Sequence, residues 1–354
     1  DDGYFLADPV VDLMRRVPPR LRRGDPLVDP ASDEALAAGG GSEDRRTIGA
    51  VVAALRKLDR SALAVQGPPG TGKTYLAARV IRTLAERDGW HVGVVTQSHR
   101  VVENVLDGVV SAGLDPSLVG KVPQGGSLGE GEPQPSHTVL RQGGHDAFLR
   151  AHRAAGRGAV IGGTAWDFSN PSRVERRSLD LLVIDEAGQF SLAPTIAASV
   201  SAQRLLLLGD PQQLPQVSQG SHPEPVDTSA LGWLLGEHDT VPEGAGYFLA
   251  ETRRMRPELA DIVSELAYEG RLHAHSTASL REVEGAGPPG LVWHPTDHTG
   301  NSTHSAEEAA EVVRIVRDAL RGTLREPGES PRPLTQQDLI VVAAYNAQVE
   351  CVGD

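Results

Sequence analysis

The sequence predicts an α/β protein built around a parallel β-sheet whose two faces are both covered by helices. Its strands read as continuous apolar runs without alternation, which is typical of strands buried on both faces. Segments with helical periodicity separate these runs, so the strands are expected to lie parallel. The predicted strands are Ala62–Val65, Val92–Val95, Ala159–Ile161, Leu181–Ile184 and Leu205–Leu208. Such sheets bind ligands at the carboxyl ends of their strands, where this sequence places polar clusters.

Composition and length limit the class of protein. The chain has 354 residues, too many for one hydrophobic core, so two or three domains are expected. No apolar run approaches the length of a membrane span. The lone cysteine, Cys351, excludes a disulfide framework or a cysteine-based zinc site within the chain and predicts a cytoplasmic protein. The net charge of −13 argues mildly against a nucleic-acid partner, although one local basic channel can still bind a strand.

Three regions are expected along the chain, which begins with Asp1 rather than methionine and is therefore expected to be a piece of a longer protein. Residues 1–42 mix arginines with prolines and are interpreted as an arm or linker with one short helix. Residues 43–246 form a first domain, with an insertion at about 107–156 that is rich in glycine and proline. Residues 247–354 begin a second α/β domain and leave it incomplete.

The second domain shows four predicted elements. Two are helices and two are strands: Pro257–Tyr268, Leu291–Trp293, Ser305–Leu320 and Leu339–Val342, of which the first and third are the helices. Ser305 and Glu308 form a capping-box pattern at the start of the second helix.

A phosphate-binding loop is predicted between the first strand and a helix at Tyr75–Arg87. The loop residues are Gly67, Pro68, Pro69, Gly70, Thr71, Gly72, Lys73 and Thr74. In a G-x-x-x-x-G-K-T loop the glycines let consecutive N–H groups point at the β-phosphate, and the helix N-terminus adds positive charge. Lys73 can reach the β- and γ-phosphates, and the Thr74 hydroxyl can ligate Mg²⁺. The pattern and both flanks therefore predict binding of a nucleoside triphosphate.

Two further clusters follow predicted strands. Asp185 and Glu186 come directly after Leu181–Ile184. Asp185 would hold Mg²⁺, and Glu186 would orient or deprotonate the attacking water. The cluster Gly209–Pro215 contains Gln213, which could sense the γ-phosphate by a hydrogen bond; a proline-bounded turn without function fits the same residues.

Together these clusters resemble the motifs of superfamily 1 helicases, in the 5′→3′ branch that includes the nonsense-mediated-decay and Okazaki-fragment helicases. Motifs I to IV are similar to Gly67–Thr74, Asp185–Gln189, Gly209–Pro215 and Thr252–Glu258. Motif Ia and the later segments are similar to Val95–Leu106, Gly163–Thr164, Tyr268–Leu272 and Ala344–Val349. The chain also resembles bacterial proteins that fuse a RecB-like nuclease to such a helicase, although it contains no nuclease segment.

The resemblance implies a P-loop NTPase with two RecA-like domains, the second incomplete, using ATP and Mg²⁺ on single-stranded nucleic acid, with DNA favoured over RNA. It implies that Arg254, from the second domain, reaches the γ-phosphate. A solvated basic cluster with its neighbouring arginines is the alternative. Tyr345 would stack on the adenine.

Three residues would contact the backbone of the single strand, again by resemblance: Ser98, His99 and Thr164. His99 fits an ordinary surface histidine as well. The four tryptophans are too scattered to predict a stacking platform.

The sequence departs from the family in three places, one of which is Arg253, an arginine where the family often has an aromatic residue. No glutamine precedes Gln66, so the adenine-reading glutamine usual upstream of motif I has no counterpart. Motifs V and VI would lie beyond Asp354, so this piece alone is expected to bind nucleotide and to hydrolyse it poorly.

The predicted function is an ATP-driven single-strand translocase or helicase. One alternative is a nucleic-acid-stimulated switch that does not unwind. The other is an accessory domain of a nuclease, in which the nucleotide site only positions DNA.

Overall fold

A computed structural model describes residues 7–129, 133–214, 220, 222–285, 287–326 and 328–353. Pro215, the last residue of the third motif, lies outside these ranges. The chain divides into two compact units on either side of the Ala250–Glu251 peptide. Within the described ranges, no helix is both long enough and apolar enough to cross a membrane.

The first unit is organised around a parallel sheet, with eight strands among its described residues. In chain order they are β1 (Ala62–Gln66), β2 (His91–Val95), β3 (Val119–Lys121), β4 (Thr138–Val139), β5 (Ala159–Gly163), β6 (Leu181–Ile184), β7 (Leu205–Gly209) and β8 (Gly246–Phe248). Their spatial order is β4-β3-β5-β2-β6-β7-β1-β8, and every neighbouring pair is parallel. The predicted α/β fold class, a P-loop NTPase sheet, is confirmed.

Helices cover both faces of this sheet. They are α1 (Pro9–Arg15), α2 (Asp33–Ala38), α3 (Arg46–Lys57), α4 (Lys73–Asp88), α5 (His99–Ser111), α6 (His145–Ala154), α7 (Ala165–Ser169), α8 (Leu192–Ser199) and α9 (Ala230–Leu235). Along β7, Leu206 and Leu208 join the core formed with α3, α4 and α5. Leu205 and Leu207 join the opposite core, with α8 and α9. Burial on both faces explains why this strand is apolar at every position before its final glycine.

Residues 7–42 pack within the first unit, whereas an arm or linker was expected for residues 1–42. Leu13 is fully buried, and its carbonyl accepts a hydrogen bond from Trp233 Nε1 at 3.0 Å. Val28 is also buried, and the Tyr247 hydroxyl donates to its carbonyl at 2.8 Å. The apolar residues of this region fall in short groups separated by prolines and charged residues, so they show no period that would have predicted their burial.

The described residues of the predicted insertion at 107–156 include two strands at the edge of the sheet. Strands β3 and β4 extend the sheet beyond β5. Lys121 in β3 is 1% exposed, and its ammonium is paired with the Glu103 carboxylate of α5 at 2.8 Å. This strand was not predicted because it contains a lysine and lies in a segment rich in glycine. The expected domain boundary at 246/247 also falls inside β8, which pairs with β1, so the first unit extends to Ala250.

The second unit contains short strands and three longer helices among its described residues. The strands are β9 (Glu251–Thr252), β10 (His273–Ala274), β11 (Glu282–Glu284), β12 (Thr323–Arg325) and β13 (Arg332–Pro333), and the helices are α10 (Pro257–Ala267), α11 (Ala306–Ala319) and α12 (Asn346–Gly353). The first two strands pair in parallel, and the last three form an antiparallel sheet. Among all described residues, of both units, short 3₁₀ turns lie at Arg22–Gly24, Glu43–Arg45, Pro116–Leu118, Gln124–Gly126, Ser276–Leu280 and Gln336–Asp338.

Both predicted helices of the second unit are confirmed, but both predicted strands are wrong. Leu291–Trp293 and Leu339–Val342 have no regular structure. Trp293 is 84% exposed and Ile340 is 88% exposed. An apolar run becomes a strand only where a neighbour satisfies its backbone, and none of the described strands pairs with either run.

The capping box predicted for α11 is only half formed. The Ser305 hydroxyl accepts a hydrogen bond from the Glu308 N–H at 3.2 Å, as expected. The Ser305 N–H donates to Gln348 Oε1 instead of to the Glu308 side chain. This bond ties the start of α11 to α12.

Candidate functional site

The register of the central strands places the predicted motifs side by side along one edge of the sheet. Val95 at the end of β2 is level with Gly163 of β5 on one side and with Ile184 of β6 on the other. On β1, Gln66 is level with Gly209 of β7. Along this edge from β5 to β1, the single-strand candidates follow β5 and β2, the acidic pair follows β6, the third motif follows β7 and the phosphate loop follows β1. With about 4.8 Å between strands, the edge from β5 to β1 spans roughly 19 Å.

The phosphate loop closes around its own lysine. Gly70 and Gly72 have φ angles of 79° and 84°, in the left-handed region that glycine adopts without strain. The Lys73 ammonium donates to the Gly67 carbonyl at 2.7 Å. A Cβ on Gly67 would lie 2.5 Å from Lys73 Cγ, so only glycine fits beneath the lysine. The loop thus holds a positive charge at the mouth of the predicted phosphate site.

The remaining loop residues also occupy positions suited to phosphate binding. The Thr71 hydroxyl donates to the Pro68 carbonyl at 2.8 Å, which fixes the turn before α4. Thr74 lies exposed in the first turn of α4, which begins at Lys73, two residues earlier than predicted. The first N–H groups of a helix have no intrahelical partner and can donate to an anion.

Asp185 has the environment of a metal ligand. Its side chain is 3% exposed, and Oδ1 has no hydrogen-bond partner among the described residues. Burial, and next the nearby charge of Glu186, raise the pKa of this carboxyl to about 6, while a hydrogen bond from the Glu186 backbone and the Lys73 ammonium oppose the shift. A buried, unpartnered carboxylate oxygen is costly unless a cation occupies the space beside it, so the residue fits Mg²⁺.

Glu186 follows in a backbone conformation that is rare for its residue type. Its φ is 55°, in the left-handed region, while its side chain is half-buried. Strain of this kind persists where the surrounding structure enforces it, and it often marks functional positions. Here it turns the chain sharply after Asp185, so that the second carboxylate does not continue the line of β6.

The second and third motifs are in direct backbone contact. A Cβ on Gly188 would lie 2.1 Å from the Asp210 carbonyl oxygen, and one on Gly209 would lie 2.4 Å from the Gly188 nitrogen. Gln213 is held at the same place, because its amide donates to Asp210 Oδ2 at 3.3 Å. The structure therefore brings Gln213 to the edge that carries Asp185, and its sensing role stays a prediction.

Gln66 has a structural role at the end of β1. It is fully buried; its amide nitrogen donates to the Asp239 carbonyl at 3.0 Å, and its oxygen accepts from the Val241 N–H at 2.7 Å. These bonds fasten residues 239–241 beside the phosphate loop.

The three single-strand candidates lie at or beside helix caps at the other end of the edge. Ser98 is exposed and caps α5 by accepting from the Val101 N–H at 3.3 Å. Thr164 is half-buried and caps α7, with its hydroxyl donating to Asp167 Oδ2 at 2.8 Å. Both hydroxyls retain acceptor or donor capacity toward a ligand.

His99 is half-buried in the first turn of α5, and its Nδ1 has no partner among the described residues. Burial, and next the positive charge of Lys121, lower the pKa of its imidazole. A neutral ring at pH 7 can exchange hydrogen bonds with a phosphate or sugar but adds no positive charge. The structure thus supports a polar contact and leaves its role as a prediction.

Trp166 was missed by sequence reasoning. It lies in α7, two residues after Thr164, and is 69% exposed. The tryptophans looked scattered along the chain, but the position of this one beside Thr164 was a signal that could have singled it out.

Arg254 and Tyr345 lie in the second unit, so their predicted roles at the phosphate loop stay predictions. Arg254 is exposed just after β9, and its carbonyl accepts from the Arg281 guanidinium at 3.2 Å. Tyr345 is 55% exposed and immediately precedes α12.

The chain is similar to several known proteins. The model of the AAA domain matches residues 49–230, just over half of the chain, including the phosphate loop and the acidic pair. The DNA replication ATP-dependent helicase/nuclease DNA2 of Xenopus laevis is 26% identical over 221 residues, which cover 60% of this chain and 20% of that protein. Regulator of nonsense transcripts 1 of Caenorhabditis elegans is 23% identical over 304 residues, 75% of this chain and 28% of that protein.

Among solved structures, the complex of Arterivirus nonstructural protein 10 (helicase) with DNA is 19% identical, with a TM-score of 0.40, over 62% of this chain and 43% of that chain. The chain spans about a fifth of the length of the DNA2 relative and just over a quarter of the Regulator of nonsense transcripts 1 relative. The predicted resemblance to superfamily 1 helicases of the 5′→3′ branch is confirmed. The chain belongs to the AAA domain family.

Proposed function

We propose that this chain is the motor part of an ATP-dependent helicase or translocase that moves along single-stranded nucleic acid. One observation carries the proposal. The same sheet edge holds a phosphate loop with the buried Asp185, whose Oδ1 has no partner among the described residues, at one end and the helix caps Ser98 and Thr164 at the other. A strand bound at one end can therefore respond to the state of the nucleotide at the other.

In the proposed reaction the loop N–H groups and Lys73 hold the β- and γ-phosphates of ATP. Thr74 and Asp185 would hold Mg²⁺, which supplies charge neutralisation on the phosphate oxygens. Glu186 orients a water molecule and accepts its proton as the oxygen bonds to the γ-phosphorus. The bond from that phosphorus to the bridging oxygen breaks, and ADP and phosphate are released.

Coupling to the second unit is assigned by resemblance. Gln213 would sense the γ-phosphate through its amide, and Arg254 would stabilise charge on the transferred group. Tyr345 would stack on the adenine. Departure of phosphate would release these contacts.

The proposed partner is single-stranded nucleic acid held by Ser98, His99 and Thr164, which contact its backbone without reading sequence. The name of the DNA2 relative guides the finer assignment. It refers to DNA replication and to a combined helicase/nuclease, which favours DNA over RNA and a nuclease domain in the same protein. The lone cysteine favours the cytoplasm.

The test is strand displacement and translocation by the intact protein, with Lys73→Ala compared with wild type. We expect ATP-dependent displacement to disappear in Lys73→Ala. The matched control is Lys57→Ala, which removes a surface lysine paired with Glu34 and leaves displacement unchanged. Turnover retained by Lys73→Ala would contradict the nucleotide site. Hydrolysis without movement would favour the switch, and nuclease activity indifferent to nucleotide would favour the accessory domain.

A further inference from the structure

We propose that Trp166 is a stacking platform for a base of the bound single strand, an inference that rests on the proposed function. The indole is 69% exposed, while its neighbours in α7, Asp167 and Phe168, are 8% and 1% exposed. Because these neighbours anchor the helix in the core, Trp166 is directed outward. A large aromatic surface held in water gains contact area when a planar ring lies against it.

The start of α7, which carries Trp166, is held rigidly by hydrogen bonds. Asp167 Oδ2 accepts hydrogen bonds from the Thr164 N–H and the Thr164 hydroxyl, both at 2.8 Å. Asp167 Oδ1 accepts from the Arg173 guanidinium at 2.5 Å. These three bonds fix the start of α7 before any ligand arrives. A preorganised ring loses little conformational freedom on binding, which favours stacking.

The surroundings of Trp166 fit a nucleic-acid strand. Since Gly163 is level with Val95, the segment that begins α7 lies beside the one that begins α5. That neighbouring segment presents the exposed Ser98 and the exposed Arg100. Hydroxyl and guanidinium groups bind the phosphate chain, and an aromatic face beside them holds a base. Every base has a π-face, so the ligand class is single-stranded nucleic acid of any sequence.

The experiment measures the affinity of the intact protein for oligothymidylate and for an abasic oligonucleotide of the same length. We expect Trp166→Ala to lose roughly fivefold to a hundredfold in affinity for oligothymidylate, and Trp166→Phe to keep most of it. Affinity for the abasic strand should be equal in all variants. The matched control is Trp293→Ala, since Trp293 is 84% exposed in the second unit. Oligothymidylate should quench wild-type tryptophan fluorescence and quench Trp166→Phe less.

Two results would overturn the inference. One is wild-type affinity of Trp166→Ala for oligothymidylate, which removes stacking while leaving the proposed function in place. The other is an equal loss for the abasic strand, which assigns Trp166 to backbone contact. Failure of the wild type to bind any single strand would instead remove the proposed partner together with this site. If Trp166 binds a protein instead, Trp166→Ala keeps wild-type affinity for oligothymidylate, which is the first of these results.

Discussion

The two ends of the sheet edge are built in different ways. At the phosphate end, Asp185 is buried and the backbones at Gly188 and Gly209 approach too closely for any side chain. At the strand end, Ser98 and Trp166 are exposed and mounted on helix starts. A triphosphate has to be held in one geometry for reaction, whereas a strand has to be bound and released repeatedly. Substitutions at the first end should therefore alter chemistry and packing, and those at the second should alter affinity.

The largest effect at the phosphate end is expected for Glu186→Gln. The amide keeps the shape of the side chain but does not accept the proton of the attacking water. ATP turnover should fall by about 10²- to 10⁴-fold, while nucleotide binding is retained. Steady-state hydrolysis and equilibrium binding measure the two quantities. Glu175→Gln, at an exposed position, is the control, and equal turnover in both variants would show that Glu186 is not the base.

Gly188→Ala tests the tight packing of this end. The new Cβ would lie 2.1 Å from the Asp210 carbonyl oxygen, so the backbone has to move. The free energy of unfolding should fall by about 3 kcal/mol. Gly108→Ala in α5 is the matched control: its Cβ would meet Ala78 at 3.5 Å, an ordinary contact. That variant should gain about 0.5 to 1 kcal/mol in urea unfolding, and similar losses in both would refute the packing argument.

Asp185→Asn separates function from stability. Burial raises the Asp185 pKa from its ordinary value of 3.8 to about 6 in the folded protein. Between these pH values the folded state binds a proton that the unfolded state has released, so this carboxyl makes stability fall as the pH rises. In the absence of Mg²⁺, the free energy of unfolding of Asp185→Asn should therefore exceed that of the wild type by about 2 to 3 kcal/mol at pH 7.5. This difference should vanish near pH 4.

Urea unfolding at pH 4, 6 and 7.5 measures this effect, and ATP turnover of Asp185→Asn should be lost throughout. Asp115→Asn provides the opposite case, because the Ser117 N–H lowers the pKa of the exposed Asp115 carboxyl. Asp115→Asn should therefore lower the free energy of unfolding at pH values above the ordinary pKa of aspartate. A loss of stability for Asp185→Asn at pH 7.5 would contradict the view that its buried charge is uncompensated.

The smallest effect is expected at the strand end, for Ser98→Ala. Loss of the cap on α5 should reduce the free energy of unfolding by about 1 kcal/mol and weaken oligothymidylate binding a few-fold. Ser32→Ala removes the corresponding cap of α2, where the hydroxyl accepts from the Ala35 N–H at 3.2 Å. It should lose similar stability with unchanged oligonucleotide affinity. Equal affinities in the two variants would exclude Ser98 from the strand contact.

Much of the phosphate end could be predicted because its signals are local. The loop Gly67–Thr74 carries its own glycines and lysine, and Asp185 follows an uninterrupted apolar strand. Each is a short pattern whose geometry follows from residue type. Helix α11 could be predicted for the same reason, because its capping serine and its apolar stripe are both visible in the local sequence.

The features that escaped prediction depend on distant neighbours. Leu339–Val342 has the composition of a strand, yet its state depends on a pairing partner that no local pattern reports. Leu13 is buried, and its carbonyl accepts a hydrogen bond from Trp233, 220 residues away. The exposure of Trp166 likewise follows from the burial of Asp167 and Phe168, which its own sequence position does not reveal.

The central claim is that the two ends of one sheet edge are coupled. It is tested most directly by the affinity of the intact protein for oligothymidylate in three states: without nucleotide, with ADP, and with a non-hydrolysable ATP analogue. We predict that the affinity differs between these states by about 5- to 150-fold, and that Lys73→Ala abolishes the difference. Identical wild-type affinities in all three states would contradict the account.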